Sequence, residues 1–179
     1  MEQERELPTI IDIEASGFGR GSYPIEVGVA LPDGKTHCFI VCPDKSWTHW
    51  DASAEAVHGI PRNTLCSNGS SPAQVATELN RLLAGSTVFS DAWNYDLSWL
   101  GKLHDVAGIA QKYRLETTRA LISEEQAALW HETKAQVIND LELARHRASS
   151  DALIIQETIR RLCAPVVDRG AEENLSSKR

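Results

Sequence analysis

Four acids and one histidine, placed in three short blocks, stand out in this chain as groups able to bind a metal ion or move a proton. They are Asp12 and Glu14 in TIIDIEASGF, Asp96 in NYDLSWL, and His146 with Asp151 in HRASSDA. Acids that a fold brings close together repel one another unless divalent cations lie between them. The histidine is the only neutral base in the set. These residues therefore predict a metal site that could serve phosphate chemistry.

The first block spaces its two acids for a shared ion. Because Asp12 and Glu14 are two residues apart, on a strand their side chains leave the same face, with Cα atoms about 7 Å apart. The neighbouring isoleucines indicate a buried strand, where two uncompensated charges are costly. An Asp-x-Glu pair alone is also typical of a solvated strand face, so its interpretation depends on the other blocks.

The second block offers two acids. Asp96 stands at the start of an apparent helix, in the aromatic–acid–apolar setting Tyr95-Asp96-Leu97. Asp91 lies at the end of a predicted strand and lacks that setting, so we rank it lower. The alternative for Asp96 is an ordinary acid at a helix start, where the macrodipole favours it.

The third block joins a base to an acid across a predicted helix start. The small residues Ala148, Ser149 and Ser150 lie between His146 and Asp151. This spacing lets the histidine project from a loop while the acid occupies the first turn of the helix. The alternative is a capping acid beside a surface histidine.

The secondary-structure patterns around these blocks predict an α/β fold with a mixed sheet. Three sequential strands joined by short turns, TIIDIE, YPIEVGVAL and KTHCFIVC, should form an antiparallel meander. A helix through about Leu83 then precedes a short strand, TVFSDA, and an amphipathic helix, NYDLSWLGKLHDVAG. A capping box at Ser123-Glu124-Glu125-Gln126 predicts one helix through AALWHETKAQVINDLELA. The last helix should run from about Ala148 to Cys163.

Length, composition and charge limit the class of protein. At 179 residues with 42% apolar content, the chain suits a single well-buried domain, which we place at 8–164. We expect 1–7 to be flexible and 165–179 to be a disordered polar tail. Neither end resembles a targeting signal and no apolar run approaches membrane-spanning length, so we expect a cytoplasmic protein with no membrane partner. The net charge of −7 argues against coating duplex nucleic acid, but not against gripping one strand end through metal ions.

The four cysteines predict neither disulfides nor a zinc centre. Without a secretory signal, reduced thiols are the better interpretation. Cys38 and Cys42 lie in a strand-like run, HCFIVC, that would hold the thiols about 13 Å apart. One tetrahedral ion does not bridge that distance.

Taken together, the blocks resemble the DEDDh (DnaQ-like) family of 3′→5′ exonucleases, which includes proofreading exonuclease subunits, RNase T and oligoribonuclease. The resemblance covers about residues 8 to 163. The motifs that carry it are Asp12-Ile13-Glu14-Ala15-Ser16-Gly17, His58-Gly59-Ile60, Tyr95-Asp96-Leu97 and His146-Arg147-Ala148-Ser149-Ser150-Asp151-Ala152. The resemblance implies a ribonuclease-H-like fold with a mixed five-stranded sheet. In that sheet, parallel strands extend the antiparallel meander of strands 1–3, and helices flank the sheet.

The resemblance also implies an activity. A two-metal-ion 3′→5′ exonuclease would hydrolyse phosphodiester bonds at single-stranded DNA or RNA 3′ ends and release 5′-mononucleotides. Two Mg²⁺ or Mn²⁺ ions would be held by Asp12, Glu14, Asp96 and Asp151, with Asp12 bridging them, and His146 would take the proton from the attacking water. The alternative is a catalytically inactive module that binds 3′ ends on the same fold. Both monomers and homodimers occur in the family, so the oligomeric state stays open.

Further residues around the acids are candidates for substrate contact. The small residues of the first block should let the terminal sugar approach closely. The aromatic candidates could stack on bases, with core packing as the alternative. The histidine could instead make a structural hydrogen bond, and the arginine could touch a phosphate or be solvated. The candidates are Ala15, Ser16, Gly17, Phe18, His58, Trp93, Tyr95 and Arg147.

Two departures from the family pattern concern the pocket for the terminal nucleotide. Family members usually carry His-Asn-Ala ahead of the second acid, where this chain has Asp91-Ala92-Trp93. The first block is often followed by Thr-Gly-Leu, where this chain has Ser16-Gly17-Phe18. The departures leave the choice between DNA and RNA open, since no motif records contacts to the 2′-OH.

Overall fold

In the computed structural model, which describes residues 6–164, five strands form one mixed sheet. They are β1 (Ile10–Ala15), β2 (Pro24–Ala30), β3 (Thr36–Ile40), β4 (Thr87–Ser90) and β5 (Arg114–Thr117). The sheet order is β3-β2-β1-β4-β5. Strands β1, β2 and β3 pair antiparallel, whereas β4 pairs parallel to both β1 and β5. The predicted meander extended by parallel strands is confirmed.

Seven α-helices among the described residues connect and flank these strands. They are α1 (Ala52–His58), α2 (Arg62–Asn68), α3 (Pro72–Leu83), α4 (Trp93–Ala107), α5 (Glu124–Ala128), α6 (Trp130–Leu141) and α7 (Ala148–Cys163). A short 3₁₀ helix, Thr118–Leu121, follows β5. None of these helices combines the length and apolar character that crossing a bilayer requires.

The two faces of β1 pack against different helices. Ile11 and Ile13 lie in the main core with residues of α3 and α4. Ile10 lies in a second cluster with Ala152 and Ile155 of α7. Because side chains alternate along a strand, Asp12 and Glu14 share the face of Ile10, which α7 covers.

The predicted elements are present, with three differences. The helices α1 and α2, each of seven residues, are too short to show a hydrophobic period and were not predicted, and β5 was not located. The helix predicted from Ser123 is interrupted at Leu129, which takes φ −91° and ψ −2°. Its capping box forms as expected, and the Gln126 side chain also donates to Leu162 O of α7 at 2.7 Å. This contact anchors α5 to α7, and α6 starts separately.

The two predicted terminal segments fall largely outside the described residues. The structure does not describe residues 1–5 or 165–179. The predicted tail and most of the predicted flexible N-terminus therefore stay predictions.

Candidate active site

The first block lies in the middle of the sheet, where α7 approaches the strands most closely. In the β1–β2 ladder, Asp12 pairs with Gly28 and Glu14 pairs with Glu26. A Cβ atom on Gly28 would lie 2.0 Å from the carbonyl carbon of Ala148, so only glycine lets the start of α7 sit on β2 here. The absent side chain therefore brings the third block down onto the acids of the first.

The third block meets Glu14 at the start of α7. One ligand atom from each of Glu14, His146 and Asp151 lies within 4.8 Å of the others. His146 takes a left-handed backbone conformation, φ +59°, in the loop before α7, and its N–H donates to Asp151 Oδ2 at 3.0 Å. Asp151 is buried in the first turn of the helix, while His146 is exposed. The predicted arrangement of a loop base and a helix acid is present.

Asp151 also has a hydrogen-bond partner that lies outside the sequence motifs. Arg145 Nε donates to Asp151 Oδ1 at 2.9 Å, and the Arg145 side chain is 37% exposed. Both carboxylate oxygens of Asp151 therefore have protein donors, one of them cationic. A divalent ion at this acid would have to share the carboxylate with a guanidinium or displace it.

The second block reaches the first from the opposite side of the site. Asp96, in the first turn of α4, is 1% exposed, and Ser90 Oγ at the end of β4 donates to its Oδ2. Its other oxygen, Oδ1, is buried and finds no hydrogen-bond partner among the described residues. The rival acid Asp91 is exposed and pairs with Lys134 Nζ at 2.6 Å. Burial thus agrees with the ranking of Asp96 over Asp91.

The acids of the site disfavour one another's charge. Burial raises the pKa of Asp12 well above its usual value, and the charges of Asp96, Glu14 and Asp151 raise it further. Burial, followed by the charge of Asp151, raises the pKa of Glu14 to about 7. Burial raises the pKa of Asp96 to about 8, with smaller contributions from neighbouring carboxylates. All three acids would be more stable as charged groups if a cation lay among them.

The donor set suits a divalent cation that prefers oxygen ligands. It consists of carboxylate oxygens and one imidazole nitrogen, and carboxylate oxygens are typical ligands of Mg²⁺ and Mn²⁺. The unpaired Oδ1 of Asp96 is the clearest sign of a missing partner, because a buried carboxylate oxygen without a donor is costly. The residues therefore fit the metal ions that the sequence predicted.

A cavity of about 370 Å³ opens at these acids. Four of the five predicted catalytic residues line it, namely Asp12, Glu14, His146 and Asp151. The fifth, Asp96, is buried and is not among the described residues that line the cavity, and its charge raises the pKa of Asp12. Five of the predicted substrate contacts also line the cavity; they are Ala15, Gly17, Phe18, His58 and Tyr95.

An aromatic platform forms one part of the cavity wall. Phe18 and Tyr95 are 68% and 53% exposed, and their ring centroids lie 5.2 Å apart in an edge-to-face arrangement. Tyr95 stacks on the buried ring of Trp99 at 5.7 Å. The platform packs against the buried Trp99, while the Phe18 and Tyr95 rings are exposed, as a base-stacking surface requires.

Gly17 and His58 each show a local reason for their residue type. Gly17 has φ +138°, and a Cβ there would lie 2.6 Å from Asp51 Cβ, so a side chain is excluded. His58 ends α1 and is buried rather than lying in a loop. Its Nδ1 accepts from Ile60 N–H at 3.0 Å, while its Nε2 is buried with no partner within residues 6–164. The structural hydrogen bond is thus present, and the second nitrogen is still available.

Three of the predicted substrate contacts are held by other parts of the protein and are not among the described residues that line the cavity. Ser16 is buried, and its Oγ accepts from Tyr23 N–H at 3.1 Å. Trp93 Nε1 donates to a backbone carbonyl of β5 at 3.1 Å. Arg147 donates three hydrogen bonds to Glu26. Their assignment to the substrate stays a prediction.

Several residues near the site were missed from the sequence. Asp51, Ser53 and Val57 line the cavity from α1 and its cap. Asp51 caps α1 by accepting from Ser53 N–H at 2.8 Å, so a capping acid before a short helix was an available signal. Glu26 also had a signal, since an acid within the apolar run YPIEVGVAL demands a partner.

Comparisons with known proteins identify solved structures with a similar fold. No family model matches the chain, and a search of curated proteins found no match. Among solved structures, Exonuclease I from Methylocaldum szegediense is 12% identical with a TM-score of 0.67, covering 88% of this chain and 41% of that one. E. coli Exonuclease I in complex with a dA16 oligonucleotide is 14% identical with a TM-score of 0.64, covering 88% and 42%. The zinc-ion-bound form of the E. coli Exonuclease I complex with single-stranded DNA is 12% identical with a TM-score of 0.58, covering 87% and 39%.

The chain has a ribonuclease-H-like fold. Its mixed five-stranded sheet flanked by helices matches the corresponding part of these structures. The chain spans about two fifths of the length of the Exonuclease I proteins that it matches. At 12–14% identity, the likeness concerns the ribonuclease-H-like fold alone.

Proposed function

We propose that this protein is a metal-dependent 3′→5′ exonuclease that hydrolyses phosphodiester bonds at single-stranded 3′ ends and releases 5′-mononucleotides. The convergence of Glu14, His146 and Asp151 within 4.8 Å in a cavity beside exposed aromatic rings carries this proposal. The fold supports it, because E. coli Exonuclease I, solved with a dA16 oligonucleotide, has the same sheet. The catalytic domain would span residues 8–164.

Two divalent ions, Mg²⁺ or Mn²⁺, would activate a water molecule and offset the negative charge that builds on the phosphate. We assign them to Glu14 and Asp151 on one side and Asp96 on the other. Asp12 would also help to hold them, since the charges of neighbouring acids act on its carboxylate. The unpaired Asp96 Oδ1 and the raised pKa values of Asp12, Glu14 and Asp96 support this assignment.

His146 would accept the proton of the attacking water. A neutral imidazole can accept a proton as a general base. The His146 side chain is exposed and lines the cavity, and one of its ring nitrogens lies within 4.8 Å of carboxylate oxygens of Glu14 and Asp151. The water oxygen would bond to phosphorus as the bond to the 3′ oxygen breaks, which frees a 5′-mononucleotide.

The cavity wall would bind the strand end through its bases and its terminal sugar. Phe18 and Tyr95 are exposed aromatic rings, on which bases of any sequence could stack. Gly17 lines the cavity, and we assign its backbone to contact with the terminal sugar. The unpartnered Nε2 of His58 could donate to a phosphate or sugar oxygen. Single-stranded DNA or RNA 3′ ends are therefore the proposed partners.

A second candidate is a module that binds 3′ ends without cleaving them. The ion pair between Arg145 and Asp151 favours it, because a protein cation already occupies one oxygen of a proposed metal ligand. The two candidates share the cavity and the aromatic platform and differ in turnover.

Digestion of matched DNA and RNA oligonucleotides, single- and double-stranded and labelled at the 5′ end, decides between them. We expect Mg²⁺ or Mn²⁺ to support shortening of single strands one nucleotide at a time, read on a denaturing gel. EDTA, Asp12→Ala and His146→Ala should each stop it. Asp140→Ala removes an exposed acid of α6 that pairs with Arg161, and it should digest like wild type. Binding without shortening in either metal would leave the second candidate.

A further inference from the structure

Glu26 is a fully buried carboxylate in an otherwise apolar strand, and both of its oxygens are used. Its side chain on β2 is 0% exposed. Arg147 donates to Oε1 from Nη2 at 2.7 Å and from Nε at 3.0 Å, and to Oε2 from Nε at 3.2 Å. Ala148 N–H donates to Oε2 at 2.9 Å, and Cys38 Sγ–H donates to Oε1 at 3.1 Å. Although burial raises the pKa of Glu26, these hydrogen bonds outweigh it and lower that pKa below its usual value.

The two main hydrogen-bond partners of Glu26, Arg147 and Ala148, lie at the start of α7. Arg147 occupies the N-cap position but makes no side-chain capping bond within the part of the chain that the structure describes. The N–H of Ala148, the first residue of α7, is one of the donors that a helix start leaves without an intrahelical acceptor. Glu26 supplies that acceptor from a neighbouring strand, and its negative charge suits the helix N-terminus.

This contact fixes the segment that carries the proposed general base. His146 precedes Arg147, and its own N–H is bound to Asp151. The backbone of His146 is therefore held by Asp151 on one side and by the Glu26 contacts on the other, in a left-handed conformation that is rare for residues other than glycine. Its side chain is exposed, so packing contributes little to its orientation.

We propose that Glu26 is a positioning residue, which acts through Arg147 and Ala148 to hold His146 and Asp151 where proton transfer requires them. This inference rests on the proposed function. Glu26 is not among the described residues that line the cavity, so it acts at a distance from the substrate. It also gives Arg147 a role other than contact with a phosphate.

Amide hydrogen exchange tests the positioning without any need for activity. In Glu26→Gln, the amides of His146 and Ala148 should exchange about tenfold faster than in wild type, because a charge-assisted hydrogen bond is lost. Glu157→Gln is the matched control, since Glu157 is another carboxylate paired with arginines, here Arg160 and Arg161 of α7. It should leave both amides unchanged. Unaltered exchange in Glu26→Gln would overturn the inference.

Kinetics then separates positioning from general stability. Glu26→Gln should lower kcat about 10- to 100-fold with little change in KM, as is typical when a residue that orients a catalytic group is replaced. A fall in kcat matched by an equal loss of folded protein would mean a merely structural role, and a rise in KM at constant kcat would mean that Arg147 binds substrate. Either result contradicts the inference.

Arg147→Lys provides a second variant if Glu26→Gln fails to fold. It keeps a cation beside the buried carboxylate but loses the paired hydrogen bonds of the guanidinium, and lysine does not replace arginine at such a site. It should change the exchange and kcat in the same direction by a smaller factor. If wild type is inactive in both metals, the proposed function fails, and the exchange measurement still decides whether Glu26 fixes the His146 segment.

Discussion

The two helices that supply acids to the site hold them in opposite ways. On α7, Asp151 has a protein donor for each oxygen and a guanidinium beside it. On α4, Asp96 is almost completely buried, with one donor and one oxygen that has no partner among the described residues. The α7 acid thus has its own counter-charge, whereas the α4 acid depends on a proton or on a bound cation.

This difference indicates how the protein tolerates a cluster of acids without metal. Arg145 offsets one negative charge at the open side of the site, where solvent also reduces repulsion. Within residues 6–164 no arginine or lysine forms an ion pair with Asp96, and its pKa of about 8 means that it keeps a proton at neutral pH when no cation is present. We therefore expect loss of metal to be felt most strongly at α4.

The largest expected effect comes from removing the charge at α4. Asp96→Asn keeps the shape and the hydrogen bond from Ser90 but cannot offset a cation, so exonuclease activity should fall about 10³-fold. Asp105→Asn is the matched control, because Asp105 is an exposed acid near the other end of α4. It should retain most of the activity. Equal losses in the two variants would remove the distinction between the buried and the exposed acid.

The second prediction concerns stability against pH in EDTA. Asp96 and Glu14 have folded-state pKa values of about 8 and about 7, above those of unfolded chains. As pH rises from about 4 to 8, the unfolded state therefore loses protons first, and the free energy of unfolding should fall by as much as about 8 kcal/mol. Saturating Mn²⁺ should remove most of this fall.

Thermal and urea unfolding at pH 5 and pH 8 measure this effect. Asp96→Asn should show a shallower fall than wild type, since the group that titrates near pH 8 is absent. A steeper slope in Asp96→Asn would contradict the description of α4 as the uncompensated side.

Local patterns predicted most of the elements that position these acids. The β-branched apolar run TIIDIE predicted β1, and the alternation of YPIEVGVAL with the turn after it predicted β2. The bounds of α7 agree with the sequence-based expectation. Short elements such as α1, α2 and β5 carry too few residues for a period to show. The break at Leu129 accompanies a contact between α5 and α7, which local patterns do not record.

Contacts between distant parts of the chain account for what the sequence left unpredicted in the site. The blocks predicted which acids converge, through their order and spacing. The partner of Glu26 lies more than a hundred residues away in the chain, and no spacing rule connects β2 to Arg147. Arg145 lies next to the motif histidine, yet only the folded loop shows that it faces Asp151.

The third prediction concerns the aromatic platform, which belongs to the α4 side. Phe18→Ala removes the more exposed ring and leaves Tyr95 stacked on Trp99. KM for a single-stranded oligonucleotide should rise about tenfold, since stacking is worth about 1–3 kcal/mol per base. The rate at saturating substrate should change little. Leu129→Ala, which truncates an exposed apolar side chain at the α5–α6 junction, should leave KM unaltered.

The smallest expected effect tests the α7 side directly. Arg145→Gln keeps a donor near Asp151 but removes the cation that competes with a divalent ion for its oxygen. Because the Arg145 side chain is partly exposed, the ion pair contributes little, and calorimetric titration should show Mn²⁺ binding about threefold tighter. Arg114→Gln, at an exposed pair with Glu116 on β5, should bind Mn²⁺ like wild type. Weaker binding in Arg145→Gln would mean that the guanidinium orients Asp151 for the metal instead of competing with it, and the contrast between the two helices would then lie in geometry rather than in charge.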